Sequence, residues 1–406
     1  MSASPTTSAT ASSPAPTRVC LFTDTLADVN GVSRFIQNVA RCAHDSGRDL
    51  RVLTSTRLSI PSLSAAPLPN IINFPPIFAR AMPGYPQLDL ALPPALAMLR
   101  AARALRPHVI HVSTPGPVGM IGRLAARLMG VPLVGVYHTD FPAYVDHLFN
   151  DDAFTWVTRR SMSWFYRPFH SIFTRSDDYA ASLETLGIPR DRMHTLRAGI
   201  DTDMFHRRHR DPSIWHRLAE TAALPETCVK VIYVGRVSVE KNLPLLTRVW
   251  PKATEQLKAR GIDARLIVVG DGPYRATMQR ELADACFLGF RHGTQLATLY
   301  ASADLFVFPS LTDTLGQVVM ESQASALPVL VSDSGGPKEV VAHGRTGLVL
   351  SSADPDAWVA ALVKLASDEH TRRAMGEAAF NAMQSCTIRA SFEHFWNVHE
   401  ACRPTT

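Results

Sequence analysis

At 406 residues the chain is long enough for two domains, each with its own core. A hydrophobic content of 46% against 19% charged residues excludes a disordered chain, and no apolar run approaches the roughly 20 residues that span a bilayer. The formal charge of +5 and a pI near 9.0 admit an anionic partner (nucleotide-sugar, anionic lipid or nucleic acid) without choosing among them. The six cysteines are scattered with no paired metal spacing, so a reduced, cytosolic context is expected.

Residues 1–16 are almost all Ser, Thr, Ala and Pro, cannot bury a core, and read as a disordered tail. No apolar h-region or basic n-region marks a signal peptide, and a transit peptide here would be short and without arginine. Arg18 to Thr23 predicts the first strand, Asp24 to Asn30 a polar loop, and Gly31 to Ala40 the start of a helix. Leu50 to Thr54 is the next strand. No G-x-G-x-x-G accompanies this strand–loop–helix, which argues against dinucleotide binding, and Asn30-Gly31 reads as an αL turn. Pro76 to Pro94 is crowded with proline and apolar residues and reads as a surface loop. Ala95 to Ala104 is helical, His108 to Val112 a strand, and Ser113-Thr-Pro-Gly-Pro-Val-Gly119 a strand-to-helix turn with close backbone approach. Val131 to Tyr137 predicts a strand that delivers His138-Thr139-Asp140 at its end. Doubly wound sheets place their sites at such strand ends, although by residue type alone a histidine there is more often structural.

Phe154 to Phe169 interleaves aromatics with Arg159, Arg160 and Arg167. Such a stretch can lie at a membrane interface or on nucleic acid. The simpler reading is a helix with its aromatics packed inward and its arginines outside. Ser171 to Ser176 is a strand. His206 to Thr227 is charged and irregular and reads as a link.

Val229 to Val234 opens a second alternation and runs into Gly235-Arg-Val-Ser-Val-Glu-Lys-Asn242. Arg236 and Lys241 flank this strand-to-helix turn, where two cations can neutralise a diphosphate; two solvated surface cations are the plainer alternative. Ala264 to Val269 ends in Gly270-Asp-Gly-Pro273, and Phe287 to Phe290 forms a short strand and turn through Gly289. Leu296 to Ala303 is helical. Leu305 to Phe308, stopped by Pro309, suits a buried parallel strand. Thr314 with Gln317 three residues on fits a capping box, so a helix is predicted from there until Pro328. The N–H groups of Leu315, Gly316 and Gln317 would point out of its N-terminus, and Gly316 would let an anion approach closely. Asp313 precedes that end, and Glu321 follows after seven intervening residues. Carboxylates beside an anion site suit sugar hydroxyls, although a cap residue and a solvated helix residue explain the pair more simply when it is taken alone. Val329 to Val331 is the next strand, and Gly335-Gly336 a turn. Asp356 to Met375 is a helix pair, and Ile388 to Cys402 a last amphipathic helix with Phe392, Phe395, Trp396 and Val398.

Asp313 and Glu321, followed by Ala324-Ser-Ala326 and Gly335-Gly336 and preceded by Gly235-Arg236 and Glu240-Lys-Asn242, resemble the signature of the retaining glycosyltransferases of family 4 (group 1). The first acid of that signature is often Glu and is Asp here, one methylene shorter. The resemblance covers about residues 17–400. It implies the α/β fold called GT-B, two Rossmann-like doubly wound domains facing across a cleft. The implied division is an acceptor domain over 17–205, a link over 206–227, a nucleotide-sugar domain over 228–375, and a helix over 376–406 returning to the first domain.

The same resemblance implies site roles. Asp313 would hold donor-sugar hydroxyls. Arg236, Lys241 and the N–H groups of Leu315, Gly316 and Gln317 would bind the diphosphate. Glu321 would hold the ribose, and the backbone around Gly270, Gly289 and Phe290 would contact the base. The loop ending at Asn30-Gly31 would close over the donor phosphates. His138 would reach the sugar near the reacting centre, with Asp140 and Tyr144 shaping the acceptor side. His138 and Asp313 are thus the implied catalytic residues, and the donor's own phosphate oxygen is the implied proton acceptor.

Met82-Pro-Gly-Tyr-Pro, Ser113-Thr-Pro-Gly-Pro, His138-Thr-Asp-Phe-Pro and Thr312-Asp-Thr-Leu-Gly are similar to the branch holding GDP-mannose-dependent α-mannosyltransferases and sulfoquinovosyl-diacylglycerol synthases. Mannosyl transfer from GDP-mannose to a lipid or glycan is the first expectation. A UDP-sugar-dependent glycolipid synthase of sulfoquinovosyl or glucosyl type is the second, and a non-catalytic nucleotide-sugar or membrane-binding adaptor the third. No Asp-x-Asp cluster supports a metal in the donor site, and no cofactor beyond the donor is expected. The expected setting is cytoplasmic, without nucleic acid, with peripheral contact to the inner face of a membrane through Phe154 to Phe169.

Overall fold

The computed structural model describes residues 16–27, 31–60, 67–82, 85–138, 152–221, 224–313 and 315–404. The first sheet draws on β1 (Arg18–Thr23), β2 (Asp49–Thr54), β3 (Ile71–Asn73), β6 (Val109–Val112), β7 (Leu133–Tyr137), β8 (Ser171–Thr174) and β9 (Met193–Thr195). Their order is β3-β2-β1-β6-β7-β8-β9. The registered pairs β1–β2, β1–β6, β2–β3 and β6–β7 are all parallel. β7 and the Val19–Phe22 stretch of β1 read as apolar runs because a parallel sheet is covered on both faces, while β6 carries the buried His111 within it. The covering helices are α1 (Gly31–Asp45), α2 (Ala95–Leu105), α3 (Pro117–Met129), α4 (Asp152–Tyr166) and α5 (Asp177–Thr185).

The second sheet runs β12-β11-β10-β13-β14-β15, with β10 (Val229–Val234), β11 (Ala264–Val269), β12 (Cys286–Gly289), β13 (Leu305–Phe308), β14 (Val329–Ser332) and β15 (Gly347–Leu350). All its registered pairs are parallel. Its helices are α6 (Ile214–Arg217), α7 (Leu243–Lys258), α8 (Arg275–Glu281), α9 (Gly293–Ser302), α10 (Gln317–Ala324), α11 (Pro355–Ser367) and α12 (Glu369–Met383), and a last helix, α13 (Ile388–Ala401), follows them. Phe306 anchors the core of this sheet, 5.8 Å from the Tyr300 ring and 5.9 Å from that of Phe308. Truncating it to alanine would cost about 3–5 kcal/mol.

Both sheets reverse strand order at their first strand. β1 lies between β2 and β6, and β10 between β11 and β13. Ligand crevices in doubly wound sheets open at the carboxyl ends of the strands at this switch point. The loops after β1, β6, β10 and β13 are therefore the places to look.

The chain clusters into two compact units, one of Met1–Val136, Trp164–Ile172 and Trp396–Thr406, the other of Tyr137–Ser163 and Phe173–Phe395. The second half of α13 belongs to the first unit. There Arg48 lies 5.3 Å from the Trp396 ring, and His399 Nε2 is 2.9 Å from His111 Nδ1 on β6. The segment from His206 to Thr227 carries α6, whose Trp215 is buried and donates its indole N–H to the Ser302 carbonyl at 3.2 Å.

Two expectations about local structure change. Pro76 to Pro94 is not a loop: β4 (Phe78–Met82) and β5 (Tyr85–Leu92) pair antiparallel as a separate two-stranded sheet. Each strand of such a ribbon keeps one unpaired edge, which tolerates a proline that would break a central strand. The expected inward packing of the aromatics between Phe154 and Phe169 holds for Phe165, Tyr166 and Phe169, which are buried. It fails for Phe154, Trp156 and Trp164, which are exposed, because one helix face cannot bury aromatics at every offset. Among the described residues no helix is long and apolar enough to cross a membrane.

Candidate active site

The turn after β10 is held from beneath. Tyr233, buried in the strand, donates its O–H to the Arg236 carbonyl at 2.8 Å. Burial, then the nearby Asp313 and Glu240 charges, push its phenol well above its ordinary value, so it stays a donor. Gly270, at the end of β11, has φ +127°, and a Cβ there would sit 1.9 Å from the Gly235 carbonyl oxygen. Only glycine lets these two strand ends touch. Arg236 is left exposed and Lys241 half-buried at the end of a single 3₁₀ turn, Val239–Lys241. Lys241 Nζ lies 2.8 Å from Asp313 Oδ2, with the two side chains 18% and 25% exposed.

The Gly270 N–H donates to the Gly289 carbonyl at 2.8 Å, which joins the ends of β11 and β12. Phe290 follows with its ring 64% exposed and nearly parallel to His292, the centroids 6.3 Å apart.

The loop after β13 meets this turn. The Gly336 N–H donates to the Asp313 carbonyl at 2.7 Å, so the Gly335-Gly336 turn fixes the backbone of Asp313. Thr314 lies outside the described residues. The helix expected from Thr314 begins instead at Gln317, with Gly316 as its N-cap at φ +67° and no side-chain cap. The left-handed residue is the physical reason: the chain must turn at Gly316 before it can coil, and that displaces a capping box. The first N–H with an intrahelical acceptor is that of Val319, which bonds the Gly316 carbonyl at 2.8 Å. The N–H groups of Gln317 and Val318 precede it at the helix mouth. Glu321 is 3% exposed, not the solvated helix residue of the simpler reading, and Tyr300 donates its O–H to Oε2 at 3.3 Å.

His138 follows β7 and is buried. Burial, and then the Arg175 charge, hold its imidazole well below the ordinary value of 6.5, so the ring is neutral at neutral pH. Arg175 occupies the matching place directly after β8, is itself buried, and has its guanidinium pulled down to about 10 by that burial. Sequence reasoning missed Arg175. Its one signal was that Thr174-Arg175-Ser176 ends a strand as Tyr137-His138 does. Asn30, Asp140 and Tyr144 lie outside the described residues. Gly31 is the first residue of α1 and is exposed.

The close backbone approach expected at Ser113 to Gly119 is made by the chain itself. Asp24, the first residue after β1, accepts from the Thr114 hydroxyl at 2.7 Å, the Val118 N–H at 2.8 Å and the Gly119 N–H at 3.2 Å. The N-terminus of α3 therefore already holds a carboxylate. Among the described residues no group of three His, Cys, Asp or Glu side chains is placed to hold a metal ion.

Residues 217–382 match the family model described as glycosyl transferases group 1, and residues 29–204 match that of glycosyltransferase family 4. The chain belongs to the family 4 (group 1) glycosyltransferases. The sulfoquinovosyl transferase SQD2 of Arabidopsis thaliana is 31% identical over 93% of this chain and 72% of its own. A GDP-mannose-dependent alpha-mannosyltransferase of Mycobacterium tuberculosis is 34% identical over 80% of this chain and 81% of its own. The crystal structure of Anabaena Alr3699/HepE in complex with UDP matches with a TM-score of 0.73 at 16% identity, over 95% of this chain and 100% of that one. The glycosyltransferase is thus an enzyme of GT-B fold built on two Rossmann-like parallel sheets, and the adaptor reading is set aside.

Proposed function

We propose that this glycosyltransferase moves a hexose, mannose from GDP-mannose in the first instance, to a hydroxyl of a lipid or glycan with retention of anomeric configuration. The observation that carries the reading is the cationic turn after β10 set against the uncapped α10 N-terminus, with Lys241 2.8 Å from Asp313. A lysine has three donors, so Lys241 can hold Asp313 with one and keep two for phosphate oxygens. Arg236, Lys241 and the N–H groups around Leu315, Gly316 and Gln317 then stabilise the diphosphate as charge develops on it. Asp313 accepts from donor-sugar hydroxyls, and Glu321, oriented by Tyr300, from the ribose. The Gly270–Gly289 turn and the exposed Phe290 ring flank the base. His138 meets the sugar as a neutral imidazole, and the donor phosphate oxygen takes the acceptor proton. Asn30, Gly31 and Asp140 complete the donor and acceptor sides. No metal or other cofactor takes part, and the enzyme works on the cytoplasmic side of a membrane.

The UDP-sugar reading is the runner-up. It is supported by the likeness to the sulfoquinovosyl transferase across 93% of the chain. Thermal shift against GDP, UDP, ADP and their sugar conjugates, with EDTA and with Mg²⁺, separates the two. A nucleotide at 100 times its Kd stabilises by about 2.7 kcal/mol. A shift with GDP and GDP-mannose supports the first reading, and a shift with UDP conjugates the second. No shift with any of them under either condition would overturn both. Anomeric retention is read from the product by NMR.

A further inference from the structure

Charge is distributed unevenly along this chain. Between Asp49 and Asp140 the only acidic residue is Asp89, against eight arginines. Four of these, Arg100 and Arg103 on α2 and Arg123 and Arg127 on α3, have no carboxylate partner among the described residues. The two helices pack on each other.

The inner face of α3 is fully used by the fold: Val118, Gly119, Ile121, Gly122, Ala125 and Ala126 are buried. The outer face carries Met120, Leu124 and Leu128, spaced one turn apart and 38%, 45% and 68% exposed. Arg123 and Arg127 stand on the same face. Trp164, 55% exposed, lies against it, and the Arg123 guanidinium sits 3.6 Å from its ring centroid. Arg123 Nη1 is buried and has no hydrogen-bond acceptor among the described residues. Beside this face runs an apolar groove of about 1080 Å³, bounded by Trp164, Pro168 and Cys402 and lined by no carboxylate among the described residues.

We propose that this face docks on an anionic phospholipid bilayer. Leu124, Leu128, Met120 and Trp164 enter the boundary between headgroups and acyl chains, and the groove takes acyl-chain carbon. Arg123 and Arg127 meet lipid phosphates, and Arg100 and Arg103 on the neighbouring α2 add to the local positive charge. The charge decides the occupant: an apolar stripe flanked by unpaired arginines, in a segment nearly free of acid, complements a surface that is both negative and oily. The inference goes beyond the transfer reaction and holds for either donor. It also places the contact on α3 and not on the amino-terminal part of α4.

The test is sedimentation of the full chain with vesicles of phosphatidylcholine alone and with 30 mol% phosphatidylglycerol, a chosen composition of about that value, at low and high salt. Binding is expected only to the anionic vesicles and weakens with salt. Each arginine at such a surface is worth about fivefold in affinity, so Arg123→Glu/Arg127→Glu should weaken binding at least about 30-fold. Leu124→Ser/Leu128→Ser should abolish it, with the thermal shift by nucleotide unchanged as the check on folding. Equal binding to neutral vesicles, or anionic binding that survives both double variants, overturns the proposal. So does loss only in Phe154→Ala/Trp156→Ala. A dimer in solution that Leu124→Ser/Leu128→Ser dissociates, without any lipid binding, would show that a second copy of the chain occupies the face.

Discussion

α3 and α10 hold equivalent places in their sheets. Each follows the strand that lies across the switch point from the first strand, β6 beside β1 and β13 beside β10. Their N-termini are treated oppositely. At α3 the first residue past β1 is Asp24, and its carboxylate fills the helix mouth with bonds to Val118 and Gly119. The first residue past β10 is Gly235, which has no side chain to send across, and α10 begins at Gln317 after the N-cap Gly316 without a side-chain cap. Asp313, the nearest carboxylate before α10 in the sequence, is held aside by Lys241. One helix terminus is filled by a side chain of the fold, and the other has no side-chain cap and is the proposed diphosphate site. A shared topology thus gives two equivalently placed helix mouths, and one residue, Asp24, fills the first of them.

The sharpest break in this comparison is Lys241→Ala. Donors at developing charge are worth about 100- to 1000-fold in kcat, or about 2.7–4 kcal/mol. The variant should lose at least 100-fold in kcat, as that range implies, in a sugar-transfer assay while keeping its melting transition. Unchanged turnover and donor affinity would mean that α10 is not the diphosphate site.

Asp24→Ala tests the other terminus. It leaves two helix N–H groups and the Thr114 hydroxyl without their acceptor, and should cost about 2–3 kcal/mol in urea denaturation. It should also turn the α3 terminus into an anion site, so sulfate should raise the variant's melting temperature more than the wild type's. Equal sulfate responses would show that the carboxylate is not what fills it.

β13, which leads into α10, was legible because buried parallel strands read as apolar runs, and Pro309 punctuates it. The role of the residues of the second-sheet turn is a proposal, and the residues themselves were picked out by the resemblance to the family signature. Their pairing was not: Lys241 and Asp313 are 72 positions apart, and nothing local says that they bond to each other. Asp24 is harder still. It reads as an ordinary loop residue, and its partner Val118 lies 94 positions on. Arg175 was missed for the same reason, since its weight comes from burial beside His138. The start of α10 was misplaced because a capping pattern cannot show that Gly316 takes a left-handed turn.

Gly316→Ala is the third test. An alanine at φ +67° is strained, and its Cβ would meet Pro337 Cα at 2.9 Å. The expected cost is about 1–2 kcal/mol in stability, with weaker donor binding by isothermal titration as the helix mouth shifts. If donor affinity holds while stability falls, the α10 mouth does not touch the diphosphate.

The smallest effect is in pH, and it separates the two forces acting on Asp24. Burial pushes its carboxyl up from the usual 3.8, and this outweighs the hydrogen bonds from Val118, Thr114, Gly119 and Gly116 that pull it down. A carboxyl raised on folding binds its proton more tightly in the folded chain than in the unfolded one. Its contribution is therefore fully present below the unfolded value and is lost as pH rises through the folded one. Asp24→Asn cannot titrate there. The wild type should gain stability over that variant as pH falls from neutral through the folded value toward 3.8, followed by urea midpoints. A wild-type advantage that shrinks on acidification would mean that the hydrogen bonds to the ionised form dominate. The α3 mouth would then prefer a charged occupant as strongly as the α10 mouth is proposed to, and Asp24 would be a resident anion in the full sense.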